Sequence, residues 1–190
     1  SPPQRRWFQE RPSEYPWEQD GLDHIRKLMP GTEPHRAWAT FSFTASSGRI
    51  NECDLLIAVP GGLYLLELKG HPGNVVNNGD TWSIGQPGTH RVRTLRNPLH
   101  LTDLKTKELK GRLEWAAKQL HIGQRVPRVE PAVFLSARGL HADLDGHFAT
   151  VIAGVYDHEE HTLRYARAGH HPPVVLGTTH DPDAEPVAPP

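Results

Sequence analysis

The chain has 190 residues, a net charge of −1 and 36% hydrophobic residues, against 18 prolines and 17 glycines. That allows one domain of ordinary size with a modest core and many loops. It excludes a globally basic nucleic-acid binder, so a polyanion must meet a local patch, and no apolar run approaches the length of a membrane span.

In chain order, residues 1–16 read as an irregular, proline-rich lead whose Trp7 and Phe8, with Trp17 just beyond, can anchor it on the body. Leu22, Ile25, Leu28 and Met29 recur at helical spacing, so residues 18–29 are predicted as a helix stopped by Pro30-Gly31. Residues 37–44 alternate as a strand, and 45–49 are turn-like. Two apolar runs, 51–59 and 63–69, flank Pro60-Gly61-Gly62 and predict a hairpin. Residues 74–79 and 82–84 suggest a strand pair at the sheet margin, and 86–90 a loop.

Residues 98–120 predict a long helix with Pro98 in its first turn. Its expected apolar stripe is Leu101, Leu104, Leu109, Leu113, Ala116 and Ala117. Lys105, Lys107 and Lys110 lie off that stripe and are candidate phosphate contacts, with a solvated helix face as the competing reading. Residues 128–136 read as a further buried strand. The order is that of an α/β protein, a mixed α+β sheet flanked by helices. Residues 148–156 and 162–166 predict an appended β-hairpin, and 178–190 a disordered Pro/Asp/Ala-rich tail.

The chemistry concentrates at the central hairpin. A two-residue Gly61-Gly62 turn places Leu56 opposite Glu67 and Asp54 opposite Lys69. Side chains alternate with period two, so Asp54, Glu67 and Lys69 share one face while Leu66 and Leu68 point to a core. Two carboxylates suit a hard cation such as Mg²⁺ or Mn²⁺, which takes few protein ligands. A neighbouring lysine can orient water or balance charge on a phosphoryl transition state. The competing reading is a half-exposed strand with solvated Asp, Glu and Lys, because an isolated D…ExK pattern recurs by chance.

Wider motifs bear on that choice. Glu18, Asp54, Gly62-Leu63-Tyr64, Glu67-Leu68-Lys69, Gly73, Trp82 and Asn97-Pro98 stand in the order of the NERD (nuclease-related) domain, which this chain resembles over about residues 5–145. The family is similar to the PD-(D/E)xK nucleases. The resemblance implies a restriction-endonuclease-like core, with Asp54 and Glu67 as metal ligands, Lys69 assisting the water and Glu18 supporting them. The block from Arg6-Trp7-Phe8 to Tyr15-Pro16-Trp17-Glu18 and the run from Asn97 to Lys105 are similar to the NERD modules at the front of BREX-type phage-defence serine/threonine kinases. Many NERD domains carry a glutamine shortly after Asn-Pro; here Leu101 stands near that place, preceded by His100.

The C-terminal part resembles something else. The two predicted strands followed by Ala168-Gly169-His170-His171-Pro172-Pro173 are similar to a short piece of the SpoIIE/RsbU-type serine phosphatases. The metal-binding aspartate motifs of that family have no counterpart here, so phosphatase activity is not expected. The expected division is 1–146 nuclease-related, 147–177 phosphatase-like hairpin fragment and 178–190 tail.

Single residues weigh less. Cys53 cannot form an internal disulfide and suits a reducing, cytoplasmic setting; it reads as a packed strand residue, not a nucleophile. His158, His161, His170 and His171 lack the regular ligand spacing of a zinc site. His71 reads as a loop histidine near the site, with proton transfer as the alternative. Two function classes follow: a Mg²⁺-dependent nuclease acting on DNA in phage defence, partnered with a defence-system kinase; or an inactive nucleic-acid-binding or regulatory module, or a gene-fusion remnant, retaining the fold.

Overall fold

The computed structural model describes residues 5–86, 88–137, 140–143, 151–157 and 162–168, with side chains described up to residue 137. Its centre is a five-stranded mixed sheet in the order β1-β2-β3-β4-β8. β1 (Trp7–Gln9) runs parallel to β2 (Arg36–Thr44). β3 (Ile50–Val59) is antiparallel to β2 and to β4 (Gly62–Lys69), and β8 (Val129–Leu135) runs parallel to β4. This is the expected α/β class. The N-terminal lead is more ordered than its composition suggested. Trp7 is buried, and Phe8 stacks on Trp38 with ring centroids 5.7 Å apart, so aromatic burial recruits a short strand from a proline-rich segment.

One helix covers each face. α1 (Pro16–Leu28) opens on Pro16, carries Glu18 in its first turn and Arg26 and Lys27 in its last, as the helix dipole favours. Its Leu22 is fully buried among Leu55, Leu68, Ala37 and Ala39. Burying one such leucine contributes about 1.5–3 kcal/mol. α2 (Pro98–Gln119) covers the other face, with Leu109 packed among Leu56, Leu65, Val129 and Cys53.

A second sheet, in the order β7-β6-β5-β9, adds β5 (Gly73–Asn77), β6 (Thr81–Gly85), β7 (Val92–Arg96) and β9 (Leu140–Asp143). Its core is Val75, Trp82 and Ile84 against Leu99, Val133 and Leu135. β7 has no apolar alternation, since Val92, Arg93, Thr94 and Arg96 are exposed, which explains why periodicity misses it. β10 (Val151–Asp157) and β11 (Thr162–Ala168) form the expected antiparallel hairpin. His158, His161, His170, His171 and the 178–190 tail lie outside the described residues.

Two expectations need correction. The central turn lies one residue earlier than predicted: Val59 pairs with Gly62 and Leu56 with Leu65, not with Glu67. Pro60 is the cause, because its fixed φ suits the first corner of a turn whose fourth residue is glycine, and Gly62 takes φ +134°. Moving the turn by one residue shifts the register by two, so the face assignment of Glu67 and Lys69 is unchanged. The α2 stripe also differs: Leu101 and Leu104 are exposed, and the buried line is Leu99, Thr102, Thr106 and Leu109. The threonines bury without penalty because each hydroxyl donates to the helix backbone, Thr102 to Pro98 O at 2.8 Å and Thr106 to Asp103 O at 2.7 Å.

Gly70, just after β4, is where α1 meets the sheet. A Cβ there would lie 2.5 Å from Trp17 Cε3 and 2.7 Å from Cδ2. Gly70→Ala is expected to cost about 1–3 kcal/mol by overpacking. The corresponding fall in Tm is roughly 2–12 °C in a thermal melt. An unchanged Tm would mean that Trp17 swings aside freely.

Candidate functional site

The site forms where β3 leaves its neighbours. The β3–β4 ladder ends at Leu55↔Leu66, and the β2–β3 ladder skips the Thr40–Asp54 position. Beyond that point β4 continues beside β8 alone, through Lys69↔Leu135. The Leu68 backbone N–H, no longer laddered to β3, donates to Asp54 Oδ2 at 2.7 Å. The aspartate therefore closes the gap with a side chain in place of backbone.

Thr40 absorbs the same break on the other side. It adopts φ +48°, rare for a β-branched residue. Above it Ala37 and Ala39 face the α1 cluster; below it Phe41 and Phe43 join the α2 cluster. In β3, Leu55 faces α1 and Cys53 faces α2. Regular alternation would keep each of these pairs on one face. Both strands thus change phase together at Thr40 and Asp54, which keeps their register constant on either side.

On β4, Glu67 and Lys69 project from one face. Lys69 Nζ donates to Glu67 Oε1 at 2.8 Å, and Lys105 Nζ, from α2, donates to Glu67 Oε2 at 3.0 Å. The three side chains are only 24%, 18% and 22% exposed for Lys69, Glu67 and Lys105, so these are water-poor, charge-assisted bonds. Glu18 sits at the start of α1, where Ser13 Oγ donates to its Oε1 at 2.6 Å. Its negative charge acts on Asp54, as do Glu67 and Lys69. The structure thus links Asp54, Glu67 and Lys69 and adds Lys105, while Glu18 acts on Asp54 only through its charge. Lys107 and Lys110 instead pair along α2 with Asp103 at 2.6 Å and Glu114 at 3.5 Å.

Charge is unevenly shared between the two central carboxylates. Burial, then the nearby Glu67 and Glu18 charges, push Asp54 up to about 7, despite its bond from Leu68 and the opposing Lys69 charge. Burial works against Glu67 too, but the ammoniums of Lys69 and Lys105 outweigh it and hold Glu67 below its ordinary range. Burial likewise opposes the Lys105 charge, and Glu67 outweighs it, so Lys105 stays firmly protonated. Cys53, buried under the cluster, is pushed up to about 12 by desolvation and remains a packed thiol. His71 is shifted down by burial and by the Arg93 and Lys69 charges, which favours its neutral form.

Lys105 reaches the site because α2 is pinned at two places. Asn97 is buried; its side chain caps Leu99 N at 3.0 Å and donates to Gly79 O at 2.7 Å, tying the helix start to the second sheet. One turn beyond Lys105, Glu108 Oε2 accepts from Arg49 at 2.9 Å and from the buried Asn51 at 2.7 Å, tying the helix to β3. The spacing of Lys105 from Thr102 and Leu109 is the sequence signal for its inward position, once Thr102 and Thr106 are counted as buried.

The donors suit a hard cation that retains water. Asp54 Oδ1 has no hydrogen-bond partner among the described residues, and the Glu67 charge acts on this carboxylate. Among the described residues no three His, Cys, Asp or Glu side chains converge as a ready-made cluster, which argues against a closed zinc-like cage. Two carboxylates with several waters remain sufficient for Mg²⁺, provided that an ammonium yields one oxygen of Glu67.

Comparison with known proteins agrees with the geometry. The nuclease-related domain (NERD) family matches residues 13–136. The Stage II sporulation protein E (SpoIIE) family matches residues 117–189, a span that begins inside α2 and includes β8 of the central sheet. The chain is 40% identical over 156 residues to "Probable kinase PglW" of Streptomyces coelicolor, a match covering 82% of this chain and 9% of that protein. No solved structure matches. Among the described residues no helix is long and apolar enough to cross a membrane. Site geometry and a family match over more than half its length agree: the chain belongs to the nuclease-related domain family.

Proposed function

We propose that this chain hydrolyses phosphodiester bonds in DNA with a divalent cation, Mg²⁺ or Mn²⁺, held by Asp54 and Glu67. The observation that supports this reading is the nearness of Asp54 to the Glu67–Lys69 pair where β3 parts from β4, with the Glu18 charge also acting on Asp54. A cation bound there supplies Lewis acidity toward a phosphoryl oxygen and a water. Lys69, fixed by Glu67, presents its remaining N–H bonds to charge that develops on the phosphate. Glu18, oriented by Ser13, supports the water from the α1 side. The likeness to a probable kinase supports a role for this activity alongside a kinase in phage defence.

A second reading is an inactive binding or regulatory module. Both oxygens of Glu67 are engaged by lysines, and Leu101, 39% exposed, stands where many relatives carry glutamine. The discriminating experiment is cleavage of plasmid and single-stranded DNA with and without Mg²⁺ or Mn²⁺. Metal-dependent cleavage that falls at least about a hundredfold in Glu67→Ala and Lys69→Ala supports hydrolysis. Wild-type rates in both variants would remove the site from consideration, and retardation without cleavage would favour the binding module.

Charge at Asp54 makes a separate prediction. Its folded-state pKa of about 7 exceeds the unfolded value of about 3.9. The native state therefore binds the proton more tightly, and this group's contribution falls as pH rises from about 4 to about 7. Asp54→Asn keeps an acceptor for Leu68 N–H and cannot ionise. In EDTA it is expected to be more stable than wild type by up to about 4 kcal/mol at pH 8, with the gain vanishing near pH 4. Denaturant melts across that range measure it; a gain independent of pH would refute the electrostatic cause.

Lys105 makes another. Its bond to Glu67 competes with any cation for the same oxygen. Lys105→Met is expected to tighten Mn²⁺ binding by about ten- to a hundredfold, the worth of a hydrogen bond between charged groups. Mn²⁺ titration followed by electron paramagnetic resonance reads this directly, and unchanged affinity would show that Lys105 is not a competitor.

A further inference from the structure

A cavity of about 470 Å³ lies between β1, the following loop and α1. It is lined by Arg5, Arg6, Arg11 and Arg26 against a single acidic residue, Glu10. On a chain of net charge −1 this is a local concentration of cations of the kind a polyanion requires. Arginine suits phosphate because its planar fork offers paired donors and stays charged.

Most of these guanidinium groups are held in place before any ligand arrives. Arg5 Nε donates to Trp7 O at 3.0 Å and the group lies 5.6 Å from the Phe8 ring centroid. Arg26 lies over Trp7 at 5.9 Å. Arg6 donates to His35 O at 3.3 Å and pairs with the exposed Glu33 at 3.2 Å. Among the described residues Arg11 has no carboxylate partner, and neither do Arg5 and Arg26. Their remaining donors are available to an anion.

The cavity is joined to the carboxylate site by two independent links. Gln9 and Gln19, both lining it, are bonded at 2.9 Å, and Gln19 Oε1 also accepts from Ser13 N at 2.9 Å; Ser13 Oγ in turn holds Glu18. Separately, Arg11 O accepts from Thr40 Oγ1 at 2.8 Å, and Thr40 stands opposite Asp54 at the break in the β2–β3 ladder. The strained Thr40 thus anchors the loop that separates the arginines from the carboxylates.

We infer that this arginine-lined cavity is a binding groove for the phosphodiester backbone of a nucleic acid, leading it past Arg11 to the Asp54–Glu67 site. The inference rests on the nucleic-acid reading above, but assigns the contact to β1 and α1 instead of the α2 lysines. Backbone recognition of this kind is insensitive to base sequence and falls steeply with salt.

Fluorescence anisotropy of a labelled mixed-sequence oligonucleotide, as DNA and as RNA, tests it with the whole chain in EDTA, where no cleavage intervenes. Arg11→Glu is the primary variant, since Arg11 is exposed and bears no side-chain bond; Arg26→Gln is the milder companion that leaves no buried charge. Arg11→Glu is expected to weaken binding about tenfold or more and to lower the slope of log affinity against log salt by about one for each lost phosphate contact. Lys107→Glu with Lys110→Glu is expected to bind within about threefold of wild type. Wild-type affinity and salt slope in both arginine variants would overturn the groove, as would loss of binding confined to the lysine variant or no binding by wild type. Cleavage dependent on Glu67 that survives such a result leaves the hydrolytic reading standing. Arginine-dependent binding without that cleavage upholds the groove and fails the hydrolytic reading.

Discussion

The parting of β3 from its neighbours at Asp54 is the constraint on which the rest of the structure depends. A regular sheet would bond the Leu68 N–H to a backbone carbonyl and point Cys53 and Leu55 to one side. Here the ladder is interrupted on both flanks, and a carboxylate replaces the lost backbone acceptor. The phase change turns the odd-numbered residues of β3 from the α1 core, at Leu55 and Ile57, to the α2 core, at Cys53. It also lifts Asp54 out of the ladder to where Glu67 and Lys69 emerge from β4. Fold and site are therefore one event in the chain, with a left-handed Thr40 as its local cost.

Once Asp54 and Glu67 are neighbours, their mutual repulsion must be offset. The protein does so asymmetrically. Glu67 receives two ammoniums and stays ionised, while Asp54 receives one backbone N–H and retains a proton to near neutrality. Like-charged carboxylates sharing a site separate their titrations in this way. Lys105 is therefore part of the charge balance of the site, since it engages one oxygen of Glu67 while Lys69 engages the other.

The sequence showed much of this and missed the rest for identifiable reasons. α1, α2 and the central strands follow from periodicity and proline punctuation. The shared face of Glu67 and Lys69 survived a wrong turn assignment because the error was an even register shift, which alternation tolerates. The phase change at Thr40 left no pattern, because nothing in Ala39-Thr40-Phe41 announces a positive φ. β1 and β7 escaped because one is short and proline-flanked and the other exposed. Lys105 was classed with Lys107 and Lys110 because leucines were counted as the buried face, whereas Thr102 and Thr106 bury and Leu101 and Leu104 do not. A helix can satisfy hydroxyls on its own backbone, so hydropathy alone rotates its inner face by roughly 50°, at about 100° per residue.

The motifs that mark the family divide by physical role. Trp82 fills the second core, Asn97 caps α2 and joins it to the β5–β6 turn, and Gly73 takes φ +107° at the entry to β5. None of these touches the carboxylates, yet together they determine where α2 begins and hence which of its residues overhang Glu67. With the helix start held by Asn97 and its middle by Glu108, the residue that reaches the site is the one a turn after Leu101. The residue that meets Glu67 is Lys105, three residues after the buried Thr102 and four before the buried Leu109. A helix start fixed by a capping asparagine thus decides, through the phase of α2, that a lysine and not a leucine meets Glu67.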